Sequence, residues 1–279
     1  MPVDPLNVIA EILGEPAAQM YNPVNAGYEC PFINSTCIKL GHRLEGPYPV
    51  CTLHRRRARR TLELVCVCPK RFFEADLIND VIRHCWVGDP PANPQLAHEI
   101  QMAGFGKVDF VIADIDQQTG AVGKFVSVEL QAVDITGSVE RAYSAIINRE
   151  PIVTERMGFG FNWANVRKRF ISQLITKGFY HHHWQSRIVA VLQTVLYNEI
   201  RRYIPFAETP LDASNIAFML YDYRPNPEAG EGAYKLELDR VVGTTHSNLM
   251  TGSIYQMIPD RNEFCERIIA NLRLGMLPL

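Results

Sequence analysis

Asp109, Glu129 and Gln131 stand in two runs rich in β-branched and aromatic residues, Val108-Asp-Phe-Val-Ile-Ala-Asp-Ile115 and Lys124-Phe-Val-Ser-Val-Glu-Leu-Gln-Ala-Val-Asp-Ile135. Such runs predict strands. Between them, Asp116-Gln-Gln-Thr-Gly-Ala-Val-Gly123 carries turn chemistry, with Gly120 and Gly123 able to take positive φ. A hairpin closing symmetrically about Thr119 would set Asp109 opposite Glu129, and facing residues of an antiparallel pair share one side of the sheet. Gln131, two residues further on, lies on that side too. Two carboxylates so close repel, and desolvation sharpens the repulsion unless a cation lies between them. A hard divalent ion with oxygen ligands, most simply Mg2+, fits. Glu99, ten residues before Asp109, could reach the same ion. The plainer alternative is that all three acids are solvated side chains on an exposed face.

A second group of chemistry-bearing residues lies nearer the start. Of seven cysteines, Cys30, Cys37, Cys51, Cys66 and Cys68 fall within 39 residues. An odd total argues against a disulfide scaffold, and in a reducing compartment the crowding reads as metal binding. Four thiolates would hold zinc or iron tetrahedrally and staple a loop-rich segment. Cys66 lies in the strand-like Leu62-Glu-Leu-Val-Cys-Val67, whereas Cys68 opens Cys-Pro-Lys-Arg-Phe. The expected ligands are therefore Cys30, Cys37, Cys51 and Cys68, with Cys66 as the rival for the fourth place and buried structural thiols as the alternative to a metal.

Within that cluster, His54-Arg-Arg-Arg-Ala-Arg-Arg60 holds five arginines: Arg55, Arg56, Arg57, Arg59 and Arg60. Arginine forks match phosphates and the guanine edge, so the run is a candidate DNA contact. Arg167 and Lys168, on the polar side of a later helix, are candidates with it. A solvated charged face is the alternative. His181-His-His183 points its neighbours in different directions on any regular element, which favours packing or DNA-backbone contact over a shared metal.

The elements that must position these residues follow from pattern. Asp4-Pro5 predicts a short helix carrying Leu6, Ile9, Ile12 and Leu13 up to Gly14, and residues 73–86 an amphipathic helix. Gly88-Asp-Pro-Pro-Ala-Asn-Pro94 breaks the chain, dividing 1–86, the cysteine segment, from 87–279. Helices are expected through Asn148 and over 162–177, the latter with the stripe Val166, Phe170, Ile171, Leu174 and Ile175, ended by Gly178. Ile188-Val-Ala-Val-Leu192 reads as a strand buried on both faces, followed by a helix to Tyr203. Ile216–Tyr223 reads as a strand, Tyr234–Val242 as an edge strand, and Asp260 with Glu263 starts a last helix. The expected fold is α/β: a mixed central sheet flanked by helices, with a small N-terminal cysteine-bound metal module.

Composition sets the frame. The chain has 279 residues, 47% hydrophobic and 21% charged, with a formal net charge of −2. These values are ordinary for a globular protein, and nothing global signals nucleic-acid binding. No apolar run approaches a membrane span and no signal peptide opens the chain, so the expected compartment is the cytoplasm.

Val-Asp109-Phe-Val-Ile, followed by Val-Glu129-Leu-Gln131-Ala-Val-Asp, resembles the PD-(D/E)xK nuclease core in its NotI-like form, in which glutamine stands for the usual lysine. The front segment, Cys-Pro-Phe…Cys…Val-Cys-Thr-Leu…Cys-Pro-Lys-Arg-Phe, resembles the cysteine-bound iron module of the NotI restriction endonuclease family. The likeness covers about residues 28–200 and leaves the last 80 unmatched. It implies that Asp109 and Glu129 bind a catalytic Mg2+, that Gln131 takes the lysine's place, and that Glu99 joins them. It further implies a Type II enzyme cutting both strands of duplex DNA at a GC-rich palindrome as a homodimer. The competing expectations are a non-catalytic DNA-binding protein with a degenerate core and a structure-specific repair nuclease.

Overall fold

The computed structural model describes the chain except residues 1–3, 20–22, 25–26, 42–43, 58–60, 105, 151–157, 257, 259 and 275–279. In chain order its N-terminal elements are strands β1 (Ile9–Ile12), β2 (Glu15–Pro16), β3 (Glu29–Cys30), β4 (Ser35–Thr36), β5 (Val50–Arg56) and β6 (Leu62–Cys66), then helix α1 (Leu77–Cys85). There follow β7 (Pro94–Gln101), β8 (Lys107–Ile115), β9 (Val122–Gln131), β10 (Ile135–Gly137), α2 (Glu140–Asn148), β11 (Phe159–Phe161), α3 (Trp163–His183), β12 (Arg187–Gln193) and α4 (Thr194–Tyr203). The chain closes with β13 (Ile216–Pro225), β14 (Tyr234–Thr244), α5 (His246–Ile254) and α6 (Arg261–Leu274).

The main sheet has six strands in the order β14-β13-β12-β9-β8-β7. Its centre, β9-β12-β13, is parallel, and antiparallel strands continue it on either side. Every residue of β12 is buried, as its unbroken apolar run requires of a strand covered on both faces. One face carries Phe110, Ile112, Val126, Val128, Val189 and Met219 against α1. The other carries Ala190, Leu192, Phe218 and Leu220 against α2, α3 and α4. The α/β architecture expected from the pattern is therefore present, with β14 at the edge where alternation placed it.

The N-terminal sheet, β2-β1-β5-β6, packs on the same side as α3. Ile9, Ile12, Val50, Leu53 and Val65 share one apolar core with Val166, Phe170 and Leu196. Two polar groups fasten it to the main sheet. Gln193, at the end of β12, accepts from the Cys66 backbone N at 2.9 Å and donates to Leu64 O at 2.8 Å. Val133 N donates to Cys66 O at 3.0 Å, which sets the cysteine segment beside the end of β9.

Two expectations fail here. The predicted opening helix is a single 3-10 turn, Pro5–Asn7, and Ile9–Ile12 is a strand. Buried Glu11 in its middle bonds to buried Arg71 at 3.0 and 3.1 Å, and pairing with β5 outweighs the helix-like spacing. Gly178 does not end α3, which runs on to His183. A Cβ at Gly178 would lie 2.7 Å from Ile216 Cδ1, so the glycine allows the helix to lie close on the sheet and is no stop signal. Asp260 does cap the last helix, its Oδ1 accepting from Glu263 N at 2.9 Å. Among the described residues no helix is long and apolar enough to cross a membrane.

Candidate active site

The β8–β9 ladder pairs Phe110 with Val128, Val111 with Ser127, Ile112 with Val126 and Ala113 with Phe125. The next step of this register sets Asp109 against Glu129, as symmetrical closure of the hairpin predicts. Because alternate residues share a face, Asp109, Glu129 and Gln131 lie opposite the Phe110–Val128–Leu130 side, facing α3.

Each acid is held through one oxygen. Asp109 Oδ2 accepts from Leu130 N at 2.7 Å. Glu129 Oε1 accepts from the ammonium of Lys177, which also donates to Lys107 O at 2.7 Å. Asp109 Oδ1 and Glu129 Oε2 take no hydrogen bond among the described residues. Burial pushes the Glu129 carboxyl up to about 7; Lys177 pulls it back and the like charge of Asp109 adds to the rise. A close pair of acids with one oxygen each to offer is a donor set suited to a hard divalent cation, which often uses only one or two protein carboxylates and completes its shell with water and phosphate.

The other candidates are placed less closely. Gln131 turns its amide Nε2 onto Ala132 O. Glu99 lies on the exposed edge strand β7, level with Asp109 between the pairs His98–Phe110 and Ile100–Val108. It takes a positive φ of 51°, and its carboxylate bonds Lys107 at 2.8 Å and not the other two acids. Lys177 was not singled out in the sequence. The signal was present, because 166, 170, 174, 177, 178 and 181 form one buried stripe of α3, and a lysine on such a stripe needs a partner.

The family model described as restriction endonuclease NotI matches residues 18–236. The chain belongs to the NotI restriction endonuclease family. No curated protein matches it. The match takes in both the cysteine segment and the strands bearing the acids, so both belong to the family's own sequence and neither is an appendage.

In this family member the cysteines draw together in part. Cys51 and Cys68 are hydrogen-bonded to each other. That bond, with Lys39 nearby, brings the Cys68 thiol down to about 6 against the cost of burial, while Cys51 is raised well above its ordinary value. Cys37 is raised by burial and by the charges of Cys68 and Cys30. Cys66 is fully buried, its thiol pushed up to about 12 by burial, and it donates to Cys68 O at 3.2 Å. Among the described residues no group of three or more Cys, His, Asp or Glu has the geometry to hold a metal ion.

The basic residues divide. Arg55 bonds Glu199 at 2.8 Å and lies 4.8 Å from the Trp163 ring centre. Arg57 pairs with Glu63. Arg56 and Lys168 are exposed, and Arg167 stacks over Tyr203 at 3.6 Å. Arg59 and Arg60 lie outside the described residues. His181 is buried against Phe125 and Trp184, and His182 and His183 are exposed at the end of α3.

Proposed function

We propose that this chain is a Type II restriction endonuclease that hydrolyses both strands of duplex DNA at a specific, GC-rich palindrome, with Mg2+ as cofactor and a homodimer as the working unit. The observation that carries this reading is the approach of Asp109 and Glu129 on one face of neighbouring strands in a member of this family. A palindrome calls for two-fold symmetry, with one strand cut by each subunit. A divalent cation at the pair would supply a more acidic water and would offset charge gathering on the scissile phosphate. Asp109, fixed by the Leu130 amide, and Glu129, fixed by Lys177, would hold it. Gln131 can orient a water or a phosphate oxygen, but its amide neither carries charge nor accepts a proton at neutral pH. Glu99 would have to leave Lys107 to join them.

On the same reading, the segment 1–86 is a module holding iron or zinc through Cys30, Cys37, Cys51 and Cys68. Cys66 is fully buried within β6 whereas Cys68 lies beyond the strand and is only half-buried, which favours Cys68 as the fourth ligand. Elemental analysis and the absorption spectrum of the purified protein distinguish iron from zinc. DNA would run along Arg55, Arg56, Arg57, Arg59 and Arg60 with Arg167 and Lys168, the exposed members making the contacts.

The test is digestion of a long DNA mixture in Mg2+. Discrete bands are expected, an intact smear would leave only a binding protein, and ragged fragments would favour a structure-specific nuclease. Glu129→Ala should abolish cleavage and leave DNA binding largely intact; a variant that cuts at the wild-type rate refutes the assignment.

A further inference from the structure

We propose that Lys177, delivered by helix α3 instead of by the strand motif, is the positively charged positioning residue of this active site, fixing Glu129 and supplying the charge that Gln131 lacks. The inference rests on the nuclease reading above. Lys177 is 2% exposed and Glu129 13%, and lysine is almost never buried without a partner. Its ammonium spans two strands, touching Lys107 O on β8 and the Glu129 carboxylate on β9. N-terminal to Lys177 the buried α3 stripe, Val166, Phe170, Ile171 and Leu174, is apolar. A buried ion pair adds little stability over a well-packed apolar side chain, so stability alone does not explain a lysine here. Gly178 lets this turn of α3 lie close on the sheet, against Ile216.

Charge counting gives the contact its purpose. Asp109 and Glu129 bring two negative charges and Lys177 one positive. With a divalent cation the set carries one net positive charge toward the single negative charge of a phosphodiester. Without Lys177 the loaded set would be neutral, and the electrostatic gain on the transition state would fall.

The test uses the full-length protein with Lys177→Met and Lys177→Arg. Cleavage is measured over a range of MgCl2 concentrations, and melting temperature with and without MgCl2 in the absence of DNA. Lys177→Met is expected to lower kcat about 100-fold without raising the MgCl2 concentration for half-maximal rate. MgCl2 should still raise its melting temperature at least as far as in the wild type, because a competing ammonium is gone. Lys177→Arg should recover at least about tenfold of the lost rate. Wild-type kcat in Lys177→Met overturns the proposal, and so does loss of the Mg2+-induced rise together with the rate, which would mark Lys177 as a structural prop. Should Lys177→Met not fold, Lys177→Arg decides: kcat within about tenfold of wild type supports the proposal, and a folded but inactive protein overturns it. If the wild type itself leaves DNA intact, the nuclease reading has failed. The melting comparison then judges Lys177 alone, with a smaller Mg2+-induced rise in Lys177→Met counting against it.

Discussion

Arg71→Met removes the cation at the centre of the joint between the two sheets. Arg71 is 0% exposed and Glu11 1%. The guanidinium donates to both oxygens of Glu11, to Glu74, and to Tyr234 O at 2.9 Å on β14. Its plane lies 4.9 Å from the Phe32 ring centre and 5.5 Å from that of Tyr223. Truncating it strands a buried carboxylate, a loss of about 3–5 kcal/mol. That is about a hundredfold to a few thousandfold in the folded-to-unfolded ratio. The loss should depend on pH. Glu11 is already raised by burial, with Arg71 the main opposing influence, so in the variant its carboxyl rises further. A carboxyl raised in the folded state favours folding below its unfolded pKa, and that advantage fades as pH rises. The penalty should therefore be smaller at pH 5 than at pH 8. Urea unfolding at the two pH values, with the slope m checked for constancy, measures it. Arg71→Met/Glu11→Leu should recover at least half of the loss, since a buried pair is replaceable by apolar groups. A single-variant loss below about 1 kcal/mol, or a double variant worse than the single, would refute the reasoning.

Two further outcomes follow from burial on α3. Burial, with Lys177 beside it, lowers the His181 pKa to about 4, and neither ring nitrogen has a hydrogen-bond partner among the described residues. Its contribution is intact above about pH 6.5 and is lost as pH falls toward 4, about 3 kcal/mol across the window. His181→Phe should flatten that slope in urea midpoints read from pH 7.5 down to 4.5; an unchanged slope would refute it. Glu129, raised to about 7, acts in the opposite sense, its advantage fading from about 4.5 to 7, so the variant must be compared with wild type at each pH. Gly178→Ala gains about 1 kcal/mol in helix propensity but drives a methyl into Ile216 and His246, costing about 1–3 kcal/mol. The net change should destabilise, and Ile216→Val should relieve it; thermal melts that show Gly178→Ala stabilised would sink the close-packing argument.

The sequence made the nuclease strands legible because their residues obey local rules. The continuous apolar run of β12 and the alternation of β9 each have one sensible burial, and the facing of Asp109 and Glu129 agrees with a hairpin centred on Thr119, a register the ladder reaches only past the irregularity between Ala113 and Ile115. What escaped depends on partners far along the chain. Ile9–Ile12 reads as a helical stripe until β5 offers it a ladder and Arg71 meets Glu11. Gly178 reads as a helix end until Ile216 lies beneath it. Lys177 is 48 residues from Glu129, and only its place on an apolar stripe hinted at a charge waiting in the core. The arginine run was legible as charge, but Glu63 and Glu199 already claim Arg55 and Arg57.

The irregularity in the β8–β9 ladder, between the pairs Ala113–Phe125 and Ile115–Val122, lies on the turn side of the acids. Strand side chains alternate, so a one-residue offset carried down to Asp109 would swing it to the far face of the sheet and leave Glu129 alone. A break in phase above Ala113 absorbs such offsets first. The tip of the hairpin is thereby uncoupled from the chemistry. Insertions and deletions around residues 116–121 leave the two acids in step, and the tip becomes the natural place for homologues to diverge or for a foreign loop to be grafted.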